Sequence, residues 1–281
     1  MTADPDVSRN AVSEAVPVSD IPVVILCGGM GTRLREASGD KVPKPLVDIG
    51  GRPILWHVMK IYRQSGFRKF VLCLGYKGDQ IKRYFLDYRE HLSDFTLTPD
   101  AVQPEYHSTG SLEDWEITFV ETGLLTGTGG RIRRVASHLD RDLFLMTYGD
   151  GIGSVDIASL VEAHLASGQL ATVTGVHPAS RYGEMHVVGN RVSEFNEKPT
   201  LAAGWVSGGF FAFDRLVVEK YLDDEPDLLL EQRPLQSLAS DGELGVFKHE
   251  GFWMGMDTFR DWTELNALWD GGNPPWKLWQ D

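Results

Sequence analysis

The chain has 281 residues, 42% of them hydrophobic, enough to bury a large core in one generous α/β domain or two small ones. Its net charge of −13 argues against a nucleic-acid backbone or an anionic membrane as main partner, so any anion must be bound in a local basic pocket. Only Cys27 and Cys73 are present, each inside an apolar run, and they read as buried thiols of a reducing compartment; with no membrane-length apolar segment and no signal-peptide order, the expected location is the cytoplasm.

In chain order, residues 1–20 are polar and aperiodic and read as a disordered tail, with residues 21–281 as a single domain. Val23 to Cys27 is the continuous apolar run of a strand buried on both faces. Pro53 to Gln64 has a helical apolar stripe, with Pro in its first turn and Gly66 past its end. Phe70 to Leu74 predicts a second strand, and Asp79 is expected to cap the next helix. A strand at Trp115 to Val120, a helix at Arg131 to Leu139, a strand at Leu143 to Thr147 and a helix capped by Asp156 continue the alternation. Beyond Leu170 the pattern becomes Ala171 to Val176, a hairpin turning at Gly189-Asn190, and a strand at Gly208 to Phe213. Helices around 217–222 and 235–240, a strand at 244–249 and a last helix at 259–269 complete it. The expected fold is α/β, a Rossmann-like doubly wound, mostly parallel sheet with an antiparallel annex.

The stretch after the first strand, CGGMGTRLREASGDKVPKPL, is rich in glycine, yet the dinucleotide fingerprint fails where Leu34 replaces its third glycine, and the Walker spacing fails as well. Glycines at 28, 29 and 31 would let backbone N–H groups approach a polyphosphate. Arg33 adds a planar donor fork, and Lys44 a point charge framed by Pro43 and Pro45. Asp150, just past the 143–147 strand, lies where a carboxylate facing a triphosphate needs a divalent cation between them, so it is a candidate Mg2+ ligand, with a turn cap as the simpler reading. Asp257 is a second candidate ligand or, equally, the cap of the last helix. Glu197-Lys198-Pro199 ends the hairpin and offers a second phosphate site, or else a surface ion pair. No histidine has metal-like spacing, and no nucleophile elbow is present.

Taken together, GGMGTRL, PKP, YGDG, FNEKP and GFWMGMDT resemble the sugar-1-phosphate nucleotidyltransferases, and ILWH, YGDG, GFW before MDT and the PPWKLW ending resemble their cytidylyl branch. The resemblance runs from about Ile21 to Trp279 and implies the nucleotide-diphospho-sugar transferase type of fold. It implies an enzyme that joins CTP and a sugar 1-phosphate, foremost α-D-glucose 1-phosphate, into a nucleoside-diphosphate sugar and pyrophosphate with Mg2+ as cofactor. It further implies that Leu26, Gly28, Gly29, Gly31, Thr32, Arg33, Gly129, Gly130, Arg131 and Asp150 bind the nucleotide and that Arg33 and Lys44 are catalytic. Tyr182, Gly183, Glu197, Lys198, Ser207 and Gly208 would meet the sugar phosphate, and Asp150 with Asp257 would hold the metal. The chain departs from the family pattern at Ser207, where Asn is usual, and at Arg233, where Glu is usual. UTP or dTTP as donor, another sugar 1-phosphate, and a non-catalytic sugar-nucleotide sensor remain alternatives. A homo-oligomer is expected, for which the aromatic WKLW near the C-terminus suggests a contact.

Overall fold

Apolar runs with no polar face need cover on both sides, and the computed structural model shows how they obtain it; it describes residues 17–29, 42–100, 102–178, 184–188, 190–196 and 204–280. The ordered chain reaches back to a 3-10 turn at Val18–Asp20, where Arg141 donates to the Asp20 carboxylate at 3.2 Å, so part of the expected tail is held to the fold. Strand β1 (Val23–Leu26) is followed by the small hairpin β2 (Asp48–Ile49) and β3 (Arg52–Pro53), which feeds helix α1 (Ile54–Gln64). Gly66 ends that helix at φ 95°, a conformation costly for residues with a Cβ. Then come β4 (Lys69–Leu74), α2 (Gly78–Leu86), α3 (Tyr88–His91), a hairpin of β5 (Ser93–Thr96) and β6 (Glu105–Thr109), and β7 (Glu116–Glu121). Asp79 lies within the first turn of α2 and does not cap it; the N-cap position is Lys77, in a left-handed conformation.

Helix α4 (Thr128–Arg134) starts three residues before the expected Arg131 and gives way to a 3-10 turn at Ala136–His138. Strand β8 (Leu143–Tyr148) leads through β9 (Gly151–Gly153) to α5 (Ile157–Ser167), which Asp156 does cap, accepting from the Ser159 N–H at 3.1 Å. The remainder is β10 (Ala171–Val176), the hairpin β11 (Glu184–Val188) and β12 (Arg191–Asn196), β13 (Val206–Asp214), α6 (Leu216–Lys220), α7 (Arg233–Ser240), β14 (Leu244–His249), β15 (Trp253–Gly255) and α8 (Phe259–Asp270).

Seven strands form one sheet in the order β14-β10-β13-β8-β1-β4-β7. β1 runs parallel to both β4 and β8, β4 is parallel to β7, and β10 to β14. β13 alone runs against its neighbours β8 and β10. The expected antiparallel annex is therefore mostly absorbed into the main sheet, with β11–β12 as a separate hairpin. Alternation along β1 sends Val23 and Ile25 to a core shared with α1, α5 and α8, and Val24 and Leu26 to a second core shared with α4, α6 and α7. Because the chain leaves β1 for β4 on one side and meets β8 on the other, the crevice at the carboxyl ends of β1 and β8 is the switch point where ligands bind in such sheets.

The C-terminal aromatic segment is not a spare surface. Trp276 is fully buried and Trp279 is 6% exposed, both packed into the core beside α1. Their indoles close over His57 and Trp56, because a segment without regular structure covers that side of the helix. Among the described residues, no helix is long and apolar enough to cross a membrane.

Candidate active site

The carboxyl ends of β1 and β8 lie side by side, the Gly149 N–H donating to the Leu26 carbonyl at 3.1 Å. Asp150 follows at once, in the turn between β8 and β9. Its neighbour across space is set by a ladder that each strand is too short to announce: β9 pairs antiparallel with β15, Gly151 opposite Gly255, and the Met256 N–H donates to the Asp150 carbonyl at 2.9 Å. Asp257 thereby arrives beside Asp150. Asp257 is not the cap of α8; Thr258 is, in a capping box with Asp261, whose carboxylate accepts from the backbone N–H groups of Asp257 and Thr258 at 3.0 and 2.8 Å.

Lys44 completes the group. Pro43 is extended, Pro45 sits within the 3-10 turn Lys44–Leu46, and between them the lysine is aimed inward with its side chain 11% exposed. Its ammonium donates to Asp150 Oδ2 at 2.6 Å and to Asp257 Oδ1 at 2.8 Å. Burial alone would lower its pKa, but the charge and hydrogen bond of Asp150, with Asp257 behind them, hold it above the ordinary lysine value.

Beside this cluster lies a cleft of about 120 Å³ bordered by Tyr148, Asp150, Ser207, Gly208, Trp253 and Asp257. The Trp253 indole N–H donates to the Gly208 carbonyl at 2.7 Å, fixing one wall. Gly209 turns at φ 78° with the Tyr148 ring lying where a Cβ would be. Glu231 accepts from the Tyr148 hydroxyl, and from Thr128 Oγ1 at 2.6 Å, which ties the cleft to the start of α4. A larger cleft of about 410 Å³ near Lys60, Arg63 and Trp279 is away from this group, and its charges are already paired, Lys60 with Glu113 and Arg63 with Asp114.

Of the nucleotide-site residues expected from sequence, Leu26 and Gly28 are buried at the end of β1 and Gly29 is exposed. Arg131 is 4% exposed and turned inward: it donates to the carbonyls of Leu74 at 3.0 Å and Gly28 at 3.1 Å and to Thr122 Oγ1 at 2.6 Å. Its guanidinium occupies the space a Gly28 side chain would need. Gly129 and Gly130 are buried against the 225–228 segment, the Gly130 N–H donating to the Leu228 carbonyl at 3.1 Å. Gly31, Thr32, Arg33, Tyr182, Gly183, Glu197 and Lys198 lie outside the described residues. Cys27 and Cys73 are free and buried, and desolvation pushes both thiols up, Cys73 to about 12, which leaves them unreactive.

Sequence reasoning missed Tyr148, Trp253 and Glu231. Trp253 sat in plain view within GFW, but only the β9–β15 pairing shows that it faces Gly208.

Residues 22–269 match the nucleotidyl transferase family. The chain belongs to that family. This transferase is 44% identical over 256 residues to the probable glucose-1-phosphate cytidylyltransferase of Bacillus subtilis, covering 91% of this chain and 99% of the relative. It is 45% identical over 258 residues to the glucose-1-phosphate cytidylyltransferase of Salmonella typhi, covering 92% and 99%. In fold, the transferase is similar to the crystal structure of HddC from Yersinia pseudotuberculosis, with a TM-score of 0.65 at 24% identity over 89% of this chain and 99% of that one.

Proposed function

We propose that this chain transfers the cytidylyl group of CTP to α-D-glucose 1-phosphate, giving CDP-glucose and pyrophosphate. The observation that carries the transfer chemistry is the meeting of Lys44, Asp150 and Asp257 at the β1/β8 switch point. The choice of cytosine and glucose rests on the names of the two relatives at 44 and 45% identity.

An ionised oxygen of the sugar phosphate attacks the α-phosphorus of CTP; the bond from that phosphorus to the bridging oxygen breaks, and pyrophosphate leaves with the electron pair. The attacking oxygen needs no base, so the protein's task is to bring two anions together in line. Gly28, Gly29, Gly31 and Thr32 present backbone N–H groups to the nucleotide phosphates, and Arg33 stabilises the departing pyrophosphate. Arg131 acts at one remove, holding the Gly28 carbonyl and so the root of that loop. Gly129 and Gly130 shape the wall next to it. Tyr182, Gly183, Glu197, Lys198, Ser207 and Gly208 receive the sugar phosphate, Ser207 and Gly208 from the cleft wall that Trp253 fixes.

Two carboxylates that converge on one cation and border an open cleft have the hard oxygen donors that Mg2+ prefers, alongside phosphate oxygens. Asp150 and Asp257 would hold the ion, which when bound offsets charge on the transferring phosphoryl group. The same reading puts the protein in the cytoplasm, where nucleoside triphosphates are plentiful, as an assembly of identical chains; light scattering of the purified protein tests the latter.

The deciding experiment is a panel of nucleoside triphosphates and sugar 1-phosphates scored by pyrophosphate release. CTP with glucose 1-phosphate should give the highest kcat/KM. Equal rates with UTP would overturn the cytidylyl reading, and no turnover with any pair would leave a sugar-nucleotide sensor. Asp150→Ala should lower kcat at least about a hundredfold, the loss expected when a principal electrostatic stabiliser is removed.

A further inference from the structure

The position of Lys44 poses a question that its catalytic assignment does not answer. A lysine whose task is to meet phosphate has no need to bridge two aspartates, yet its ammonium lies 2.6 Å from Asp150 Oδ2 and 2.8 Å from Asp257 Oδ1. Those two oxygens belong to residues 107 positions apart in sequence, brought together by the β9–β15 ladder. The ammonium between them is therefore part of the architecture of this site.

We propose that Lys44 is the resident counter-cation of the Asp150–Asp257 pair, that it and a divalent ion exclude one another there, and that nucleotide opens the pair to metal by drawing the ammonium away. The proposal rests on the reading of this cleft as a metal-assisted nucleotide site and specifies how that site is regulated.

Two carboxylates held side by side repel unless a cation lies between them, and an ammonium with three donors fills that need. A divalent ion sharing the same oxygens would be driven apart from the ammonium by like charge, so one must leave. The frame allows this. Pro43 and Pro45 fix the lysine backbone, whereas four methylenes leave its Nζ free to swing toward the adjoining cleft. The aspartate side chains are 36% and 45% exposed, so their outer edges are already open to solvent and to an incoming ion. Phosphate oxygens arriving in the cleft give the ammonium an alternative partner. Metal and nucleotide then favour each other, and by linkage the coupling is the same in both directions.

The test needs no turnover. Binding of Mn2+ alone to the full-length protein is followed by electron paramagnetic resonance for the wild type, Lys44→Met and Lys44→Gln, with folding checked by thermal melting. The neutral variants should bind Mn2+ at least tenfold more tightly than the wild type, and adding Asp257→Asn to Lys44→Met should remove the gain. Equal or weaker binding in the neutral variants, or a gain that survives Asp257→Asn, would overturn the exclusion. A measurement on the unaltered protein stands independently: saturating Mn2+ should raise acetic-anhydride labelling of Lys44 several-fold by mass spectrometry, and unchanged labelling counts against release. A failed substrate panel with these results intact would sink the cytidylyl assignment and leave the exchange standing.

Discussion

His57 shows how much a single side chain can owe to its surroundings. It lies within α1, fully buried, with Nε2–H donating to the Ile49 carbonyl at 2.9 Å and Nδ1 accepting from the Trp276 indole at 3.3 Å. Protonation would put a charge among Trp56, Trp269 and Trp276, and burial pulls its pKa from 6.5 to about 4 despite the help of the Ile49 carbonyl. The folded form therefore resists a proton that the unfolded chain accepts below about pH 6.5. Its contribution to stability is complete above that pH and is lost as pH falls toward 4, to a limit of roughly 3 kcal/mol. Urea unfolding between pH 7 and 4.5 should show a steeper loss in the wild type than in His57→Gln, and identical slopes would refute the assignment. The sequence showed His57 only as one position of a helical pattern. Its burial depends on Trp276, 219 residues away, which no local pattern announces. Lys44 was legible for the opposite reason, since its two flanking prolines are themselves local. Asp257 was ambiguous because an acid before a helix satisfies the capping rule equally well, and only Thr258 and Asp261 in place resolve it.

At the scale of elements, the strands and helices long enough to complete a period were readable: β10 and β14 have the expected limits, and α1 begins one residue after the expected start. β9 and β15, three residues each, could not be read, because so short a run cannot distinguish alternation from chance, and those are the strands that bring the aspartates together. The C-terminal aromatics were misplaced on the surface because two tryptophans around Lys-Leu have no periodic face to identify their partner. In the fold they form a strap across α1, with Trp279 edge-on to Trp56 at 5.6 Å and Trp276 stacked near Phe252 at 5.7 Å. Trp276→Ala should therefore cost about 3–5 kcal/mol, the range for emptying a buried aromatic site. Denaturant midpoints would measure it. Because the strap does not border the cleft of Asp150 and Ser207, KM for both substrates should stay within about twofold at a temperature where the variant is folded. A stable Trp276→Ala with a large rise in KM would place the strap in binding instead.

For the molecule as a whole, the alternation of strand and helix predicts the class of sheet but not the order of its strands, since that order is set by crossovers that bring β13 between β8 and β10. The candidate site inherits this long-range dependence. Lys44 is 106 residues from Asp150 and 213 from Asp257, and the cleft takes its walls from β8, β13 and β15, so no fragment shorter than residues 44–257 contains the site. We propose that residues 21–281 unfold as one cooperative unit, and ligand linkage offers a way to test this. A nucleotide that binds only the assembled site adds RT ln(1 + [L]/Kd), about 2.7 kcal/mol at a hundredfold excess over Kd, and should raise Tm by roughly 5 °C for a domain of this size. Calorimetry with CTP and Mg2+ should show a single transition moving as a whole. If a second, unmoved transition remains, part of the chain unfolds independently of the site; an unmoved single transition would mean that CTP does not bind the native protein at that concentration. The net charge of −13 sharpens the expectation, because a triphosphate repelled at long range can stabilise the protein only through the local cations of an intact cleft.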